Sequence, residues 1–196
     1  MQVIAFSSPR SGRDGELQQF ERLAATLSSQ FARLHVEEIG PAIVGALEQV
    51  GLAIDVQACA LIEFTEGAIG AMHTWPNAPA TFGEAACPPR WLVEKLTRRE
   101  VVPIPVSHGA TASGRESVSG LGVPVVVAEQ VVCALVVWAR RAGPRWPDPV
   151  VERVRLIAEI FGVALQRCRH ETALRASLAM IEQLNARLAA DNDYLQ

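Results

Sequence analysis

The sequence predicts an α+β domain, an antiparallel sheet with helices packed on one face, followed by a long C-terminal helix. Two almost continuous apolar runs, at residues 123–128 and 131–139, indicate central strands covered on both faces. They follow two helical patterns, two weaker strand patterns, a short helical pattern and a further strand pattern. This order, with helices grouped rather than alternating with strands, favours α+β over a parallel α/β fold.

The long helix is predicted to begin at Asp148 and Pro149, an N-cap acceptor followed by a proline at the first helical position. From there to residue 196 no further proline occurs, and Gly162 is the one glycine. Such a helix would be about 70 Å long at 1.5 Å per residue, so one globular core cannot cover it. Its two halves therefore need different partners.

The two halves carry different apolar patterns. In the first half, residues from Val150 to Leu165 recur at spacings of three and four and predict a face packed on a core. The second half alternates steps of four and three, which is a heptad pattern: Leu174, Leu178, Ile181, Asn185, Leu188, Asn192 and Leu195. This seam predicts a parallel homodimer. The two stripes do not join in phase, and this phase slip, which locally over- or under-winds a coiled coil, falls in the polar stretch at residues 166–172 of the same helix.

The chain is predicted to divide into a flexible tail at 1–18, a sensory domain at 19–168 and a dimerising, signalling coiled-coil helix at 169–196. Residues 56–64 alternate as in a strand with one buried face. Residues 101–106, with prolines at 103 and 105, predict an edge strand. Residues 107–122 are rich in Gly, Ser, Ala and Thr and predict a long loop that serves as a lid.

Composition excludes several classes of function. The net charge is −3 and no basic run occurs, which argues against direct contact with nucleic acid. No apolar window is long enough for a membrane span, and no signal peptide is evident, so a cytoplasmic protein is expected. The four cysteines show no metal-binding spacing, and Cys133, in an apolar strand, is expected to be an inert buried thiol.

The segment SVSGLGVPVVVAEQVVCALVVW at 117–138 resembles the central hairpin of a GAF domain, in which a short strand containing a Val-Pro pair leads through a turn into an apolar strand. Cys133 stands where that family usually has glycine. The segment LIAEIFGVAL at 156–165 is similar to the closing helix of the family. The resemblance covers residues 20–168 and implies a GAF-like sheet and a regulatory pocket for a small-molecule effector.

The segment LNARLAADNDYLQ at 184–196 resembles the linker that joins a GAF domain to the AAA+ ATPase of sigma-54-dependent bacterial transcriptional activators. The resemblance implies a sensory fragment that acts in cis on such an ATPase. The chain itself has no GxxxxGK[ST] motif, since the residue after Lys95 is Leu96, so it is predicted not to be an enzyme. A histidine kinase is an alternative output domain.

Candidate ligand-binding residues are polar or aromatic and lie where a GAF pocket is expected: His73, Trp75, Trp91, His108, Arg115 and Ser117. Metal and haem ligands at recognisable spacing are absent from the sequence, as is the adjacent Cys-His pair needed to attach a bilin, so the cofactor stays unknown. No nucleophile and base suggest catalysis. The alternative to a sensor is a dimerisation scaffold whose pocket binds nothing.

Overall fold

A computed structural model describes residues 10–76, 88–111, 114–140 and 146–194. It contains four α-helices, a 3₁₀ turn at Val36–Glu38 and five strands within these ranges. The helices are α1 (Arg10–Arg33), α2 (Ile39–Ala53), α3 (Arg90–Thr97) and α4 (Asp148–Tyr194). The strands are β1 (Ala58–Thr65), β2 (Ala68–Trp75), β3 (Val102–Thr111), β4 (Gly114–Val127) and β5 (Gln130–Arg140).

The strands form one antiparallel sheet in the order β2-β1-β5-β4-β3. Helices α1, α2 and α4 pack on one face, with a core that includes Leu27, Leu47 and Phe161. The short helix α3 covers the other face with Leu92 and Leu96. The predicted α+β fold, with its layer of helices and its long C-terminal helix, is confirmed.

Strand β1 differs from its prediction, because both of its faces are buried. Cys59 and Leu61 face the layer of α1, α2 and α4, whereas Ala60 and Ile62 face α3. The sequence alternation indicated one buried face only. The reason for the difference is that β1 lies between β2 and β5, where the layer of α1, α2 and α4 covers the face with Cys59 and Leu61, which is the side expected to be open.

The predicted loop at 107–122 is instead a β-hairpin built from β3 and β4. Ser107 pairs with Val118, Gly109 with Glu116, and the register is irregular between Ile104 and Ser107. Gly, Ser and Ala have weak β-propensity, so the sequence signal was poor, but the pairing of two strands supplies the backbone hydrogen bonds. β3 is the edge strand, as its prolines predicted.

Two boundaries also differ from expectation. Helix α1 begins at Arg10, within the segment expected as a tail, while residues 1–9 lie outside the described part of the chain. The turn between β4 and β5 uses Ala128 and Glu129, one residue earlier than predicted, and both have positive φ (47° and 66°). Two consecutive positive φ values match the twist of a tight hairpin and explain how it closes without glycine.

Helix α4 crosses close to the sheet at one position. A Cβ on Gly162 would lie 2.4 Å from Val125 Cγ1, so only glycine permits this approach. Phe161 beside it contacts Phe31 of α1 edge to face, with ring centroids 5.4 Å apart. The first half of α4 is thus packed between α1 and the sheet.

Candidate functional site

His73 and Trp75 lie on the edge strand β2 and face helix α2, as the shared strand face predicted. A Cβ on Gly51 of α2 would lie 2.2 Å from the Trp75 ring, so the glycine makes room for the indole. The His73 ring lies near Gly40, 3.9 Å from the corresponding Cβ position. Both side chains therefore belong to the packed layer between sheet and helices.

His73 bonds to a residue that the sequence reading missed, Glu63 of β1. His73 Nε2 lies 2.8 Å from Glu63 Oε1, and Arg169 Nη2 of α4 lies 3.6 Å from Glu63 Oε2. The hydrogen bond from His73, together with Arg169, lowers the pKa of the Glu63 carboxyl. One half-buried carboxylate thus links β1, β2 and α4. The sequence did contain a signal for this pairing, because Glu63 lies within an apolar strand and a buried charge requires partners.

The lowered pKa gives a prediction for stability against pH. Folding favours the charged form of Glu63, so its contribution is present above the ordinary pKa of 4.5 and is lost as pH falls through the lower folded-state pKa. We expect Glu63→Gln to lower the free energy of unfolding by about 1 to 3 kcal/mol at neutral pH. The difference from wild type should shrink in acid, measured by urea denaturation at both pH values.

Glu94→Gln is the matched control, because Glu94 pairs with Arg90 on the exposed surface of α3. An exposed pair of this kind contributes about 0.5 kcal/mol or less. If Glu63→Gln behaves as Glu94→Gln does at neutral pH, the carboxylate does not link the three elements.

Helix α4 is anchored to the domain by polar side chains in the stretch 166–175. Arg167 Nη2 donates to the carbonyl oxygens of Phe31 (2.9 Å) and Leu34 (2.6 Å), at the C-terminal end of α1. Arg175 Nη1 lies 3.0 Å from Glu37 Oε1. An arginine side chain is favourable at the C-terminal end of a helix, where backbone carbonyl groups lack partners within the helix and the helix dipole is negative. The polar stretch at which the two apolar stripes change phase is continuous helix, as predicted, and it is bonded to several elements.

A polar cleft of about 640 Å³ opens beside this anchor, at the end of the sheet where the β1–β2 and β4–β5 turns lie. Arg169 and Gln166 of α4 line the cleft, together with Thr97 at the end of α3 and Arg99 just after it. Arg99 donates to the backbone carbonyl of Glu129. Phe64 and Val132 are among its apolar lining residues. A small polar molecule in this cleft would contact α4 directly at Gln166 and Arg169.

Trp91 is not brought together with His73 and Trp75. It lies on α3, over the opposite face of the sheet, and its side chain is exposed, whereas Leu92 and Leu96 of the same helix are buried. The sheet separates Trp91 from the pair on β2. Of the described candidate side chains, His73 and Trp75 therefore lie apart from Trp91.

The other three candidates lie on the β3–β4 hairpin. The backbone pairs His108 with Ser117 and places Arg115 opposite Ala110. Their side chains lie outside the described part of the chain. Among the described residues, β4 pairs with β5 from Val118, which lies opposite Arg140, onward. A ligand-binding role for these residues stays a prediction.

The predicted dimerisation residues lie on the part of α4 that extends from the domain. Leu174, Leu178, Ile181 and Leu188 are between 52% and 66% exposed, which is high for large apolar side chains. Asn185 is also exposed. The side chain of Asn192 and all of Leu195 lie outside the described residues. Exposed leucines in a regular pattern usually mark a contact surface.

Two cysteines, Cys59 and Cys133, are buried and free, and burial raises the pKa of each thiol to about 12. A thiol with so high a pKa carries little thiolate at neutral pH and reacts slowly. Among the residues that the structure describes, no three His, Cys, Asp or Glu side chains cluster as metal ligands. None of the described helices combines the length and apolar character needed to cross a membrane.

No protein-family model and no curated protein matches this chain. Solved structures do resemble it. The GAF domain of a phosphoenolpyruvate-protein phosphotransferase from Acinetobacter is 16% identical, with a TM-score of 0.57 over 84% of this chain and 97% of the other. The GAF domain of a protein described as a sensor histidine kinase from Pseudomonas syringae pv. tomato is 15% identical, with a TM-score of 0.54 over 84% and 99%.

A third similar structure is an enzyme, the free methionine-R-sulfoxide reductase of Neisseria meningitidis, solved with its substrate. It is 12% identical, with a TM-score of 0.56 over 87% of this chain and 99% of the other. At such identities similarity speaks for the fold and not for a shared activity. The strand order, the helical layer and these similarities agree: this chain has the fold of a GAF domain.

Proposed function

We propose that this chain is a ligand-sensing regulatory domain whose signal leaves through α4 to an output domain in the same protein. The observation that carries the proposal is the division of α4 into two parts. Phe161 and Leu165 are buried in the domain core, whereas Leu174 and Leu178 are exposed beyond it. A helix that is core at one end and uncovered at the other can transmit a change in the domain to whatever follows.

Such a change would act on residues 166–175 of α4, which bond the helix to the rest of the domain. Arg169 contacts Glu63 at 3.6 Å and the Val132 carbonyl at 3.3 Å, and Arg167 contacts the end of α1. A ligand that shifted β1, β5 or the turns beside them would alter these contacts. Regulation requires that the bound and free states differ in such contacts, because a ligand shifts an equilibrium only by its differential affinity.

The output domain is proposed to be the AAA+ ATPase of a sigma-54-dependent transcriptional activator. The support is the likeness of residues 184–196 to the linker of those proteins. The chain would then act as a cytoplasmic homodimer, without enzymatic activity and without touching nucleic acid itself. A histidine kinase is the second candidate, because the similar structure from P. syringae belongs to a protein described as a sensor kinase.

The effector is proposed to bind on the α3 side of the sheet. His73 is bonded to Glu63, and Trp75 is packed against Gly51 of α2. Trp91 and the hairpin residues His108, Arg115 and Ser117 are therefore the proposed contacts. An exposed tryptophan on a short helix offers an aromatic surface to a ligand.

A thermal-shift screen of the purified chain against bacterial metabolites tests this proposal. A ligand at about 100 times its Kd stabilises a protein by about 2.7 kcal/mol, which raises the melting temperature by several degrees. Trp91→Ala should abolish the shift, measured against the melting temperature of the same variant without ligand, because the partly exposed indole is the proposed contact. Val101→Ala, at a similarly exposed position after α3, is the control and should retain the shift.

If no compound raises the melting temperature, the chain is better described as a dimerisation scaffold. If a compound does so equally in Trp91→Ala, the effector binds elsewhere, and the polar cleft beside Arg169 is the next candidate.

A further inference from the structure

The polar cleft beside Arg169 reaches around the end of the sheet and is lined from both of its faces. Of its apolar lining residues, Phe64 belongs to the core under α3, and Val132 belongs to the core under α1, α2 and α4. Arg99, just after α3, and Arg169 of α4 each bring a positive charge to the cleft. A molecule bound there could therefore contact both sides of the sheet at once.

The guanidinium group of Arg169 has hydrogen-bond donors that its contacts within the domain do not use. Its Nη2 atom lies 3.3 Å from the carbonyl oxygen of Val132 and 3.6 Å from Glu63 Oε2. Both distances exceed the length of a strong charge-assisted hydrogen bond, about 2.7 to 2.9 Å. Both contacts also use the same nitrogen, whereas a guanidinium has five N–H donors on three nitrogens. Arg169 can therefore bind an oxyanion in the cleft through its other donors.

Arg99 is held at the same cleft by the turn between β4 and β5. Its Nη2 atom donates to the backbone carbonyl of Glu129 in that turn. The backbone of Arg99 has a φ of 66°, in the left-handed region, where glycine is the residue usually found after a helix. The bond to the turn fixes the direction of the planar guanidinium group and leaves its remaining donors for a ligand.

Two carboxylates also line the cleft and limit what it accepts. Glu66 lies in the β1–β2 turn and Glu129 in the β4–β5 turn, and both residues are exposed. The side chain of Arg169 is only 34% exposed. Salt screens exposed charges more strongly than partly buried ones, so the attraction of Arg169 for an anion is reduced less than the repulsion from the two glutamates. The inner part of the cleft therefore favours an anion.

We propose that this cleft is a second ligand site, which binds a small organic dianion through Arg169 and Arg99. The acidic groups are phosphate or carboxylate, because the planar fork of arginine forms two parallel hydrogen bonds with either. The carbon part of the ligand lies against Val127 and Val131, which are half-buried lining residues. The site goes beyond the effector surface proposed at Trp91, which is not among the residues that line this cleft.

The ligand would compete with Glu63 for Arg169. Binding would draw the guanidinium group away from Glu63 and from the Val132 carbonyl, which are two contacts between α4 and the sheet. Glu63 would keep its bond to His73, at 2.8 Å, so its carboxylate would not lose every partner. A dianion in the cleft would thus loosen the attachment of α4 to the sheet while β1 and β2 stay joined.

Isothermal titration calorimetry of the purified chain tests the site with two probes, inorganic phosphate and succinate, at neutral pH and constant ionic strength. At least one probe should bind with a Kd of about 1 mM or lower, and the probe that binds identifies the acidic group. Butyrate, which has the four carbons of succinate and one carboxylate, should bind at least about tenfold more weakly than succinate if succinate is the ligand. Binding of neither probe below about 10 mM would overturn the proposal.

Variants locate the bound probe. Arg169→Gln and Arg99→Gln should each raise its Kd at least about tenfold, because each removes charge-assisted hydrogen bonds. Arg155→Gln is the matched control, since Arg155 also lies on α4 but pairs with Glu152 on the exposed surface. It should leave the Kd within about twofold. A wild-type Kd in Arg169→Gln or in Arg99→Gln would overturn the site, and thermal unfolding of each variant without the probe shows that it is folded.

Glu63→Gln tests the competition directly. It removes the carboxylate that attracts Arg169, so the Kd of the probe should fall by about threefold or more. If Glu63 only supported the fold, the Kd would rise or stay the same, and either result would overturn the competition. This titration and the thermal-shift test at Trp91 use different ligands and different variants, so one can fail while the other succeeds.

Discussion

Replacing Phe161 with alanine should lower the free energy of unfolding by about 3 to 5 kcal/mol, which is a large part of the stability of a domain of this size. The ring is 1% exposed and contacts Phe31 edge to face, so its loss leaves a cavity between α1, α4 and the sheet. At the neighbouring Gly162, α4 already lies close to Val125. The helix therefore cannot move toward the sheet to fill the cavity without rearrangement. Urea denaturation followed by circular dichroism measures the effect.

Val163→Ala is the matched control for Phe161→Ala. It truncates an apolar residue two positions along the same helix that is 67% exposed in the single chain. Its effect on unfolding of the monomer should be within about 0.5 kcal/mol. A loss of less than about 1 kcal/mol in Phe161→Ala would show that the first half of α4 is not held in the core.

Replacing Leu178 with aspartate should convert the proposed dimer to monomer, with the Kd rising by about 100-fold or more. Leu178 is 52% exposed in the single chain, so the substitution does not disturb the domain core. In the proposed dimer the charge would be buried in the seam without a partner, which is strongly unfavourable. Sedimentation equilibrium at several protein concentrations gives the Kd.

Met180→Asp is the matched control for this substitution. Met180 is 62% exposed and lies on the same helix, but at about 100° per residue it points well away from Leu178. This variant should remain dimeric. If both variants sediment as wild type does, the copies associate through another surface or the chain is monomeric throughout.

Much of the fold could be predicted because the decisive signals are local. The apolar runs of β4 and β5, the prolines of β3 and the uninterrupted helical stretch after Asp148 each point to one kind of element. The β3–β4 hairpin was missed for the opposite reason. Its Gly, Ser and Ala residues have weak preferences, and only pairing across the strands makes them extended.

The candidate site was less predictable. The sequence could place His73 and Trp75 on one face of a strand, but not say that α2 covers this face. The partners of Glu63 come from β2 and from α4, which begins more than eighty residues later, and no spacing rule joins such distant positions. Trp91 was grouped with the strand residues, although the sheet separates them.

The sequence by itself determined that this chain has a sheet with long helices and that α4 carries a repeating seam, because periodicity depends only on the order of residues along the chain. The sequence also predicted that the stripe with Val154, Ile157 and Phe161 packs on a core, and the structure buries it. Only the tertiary structure decided which elements cover this stripe and which apolar residues of α4 stay outside the core. The core covers Phe161 and leaves Leu156 and Val163 uncovered, although all three are apolar. Which apolar residues become core and which stay available to a partner depends on how elements pack, and packing joins residues far apart in the sequence.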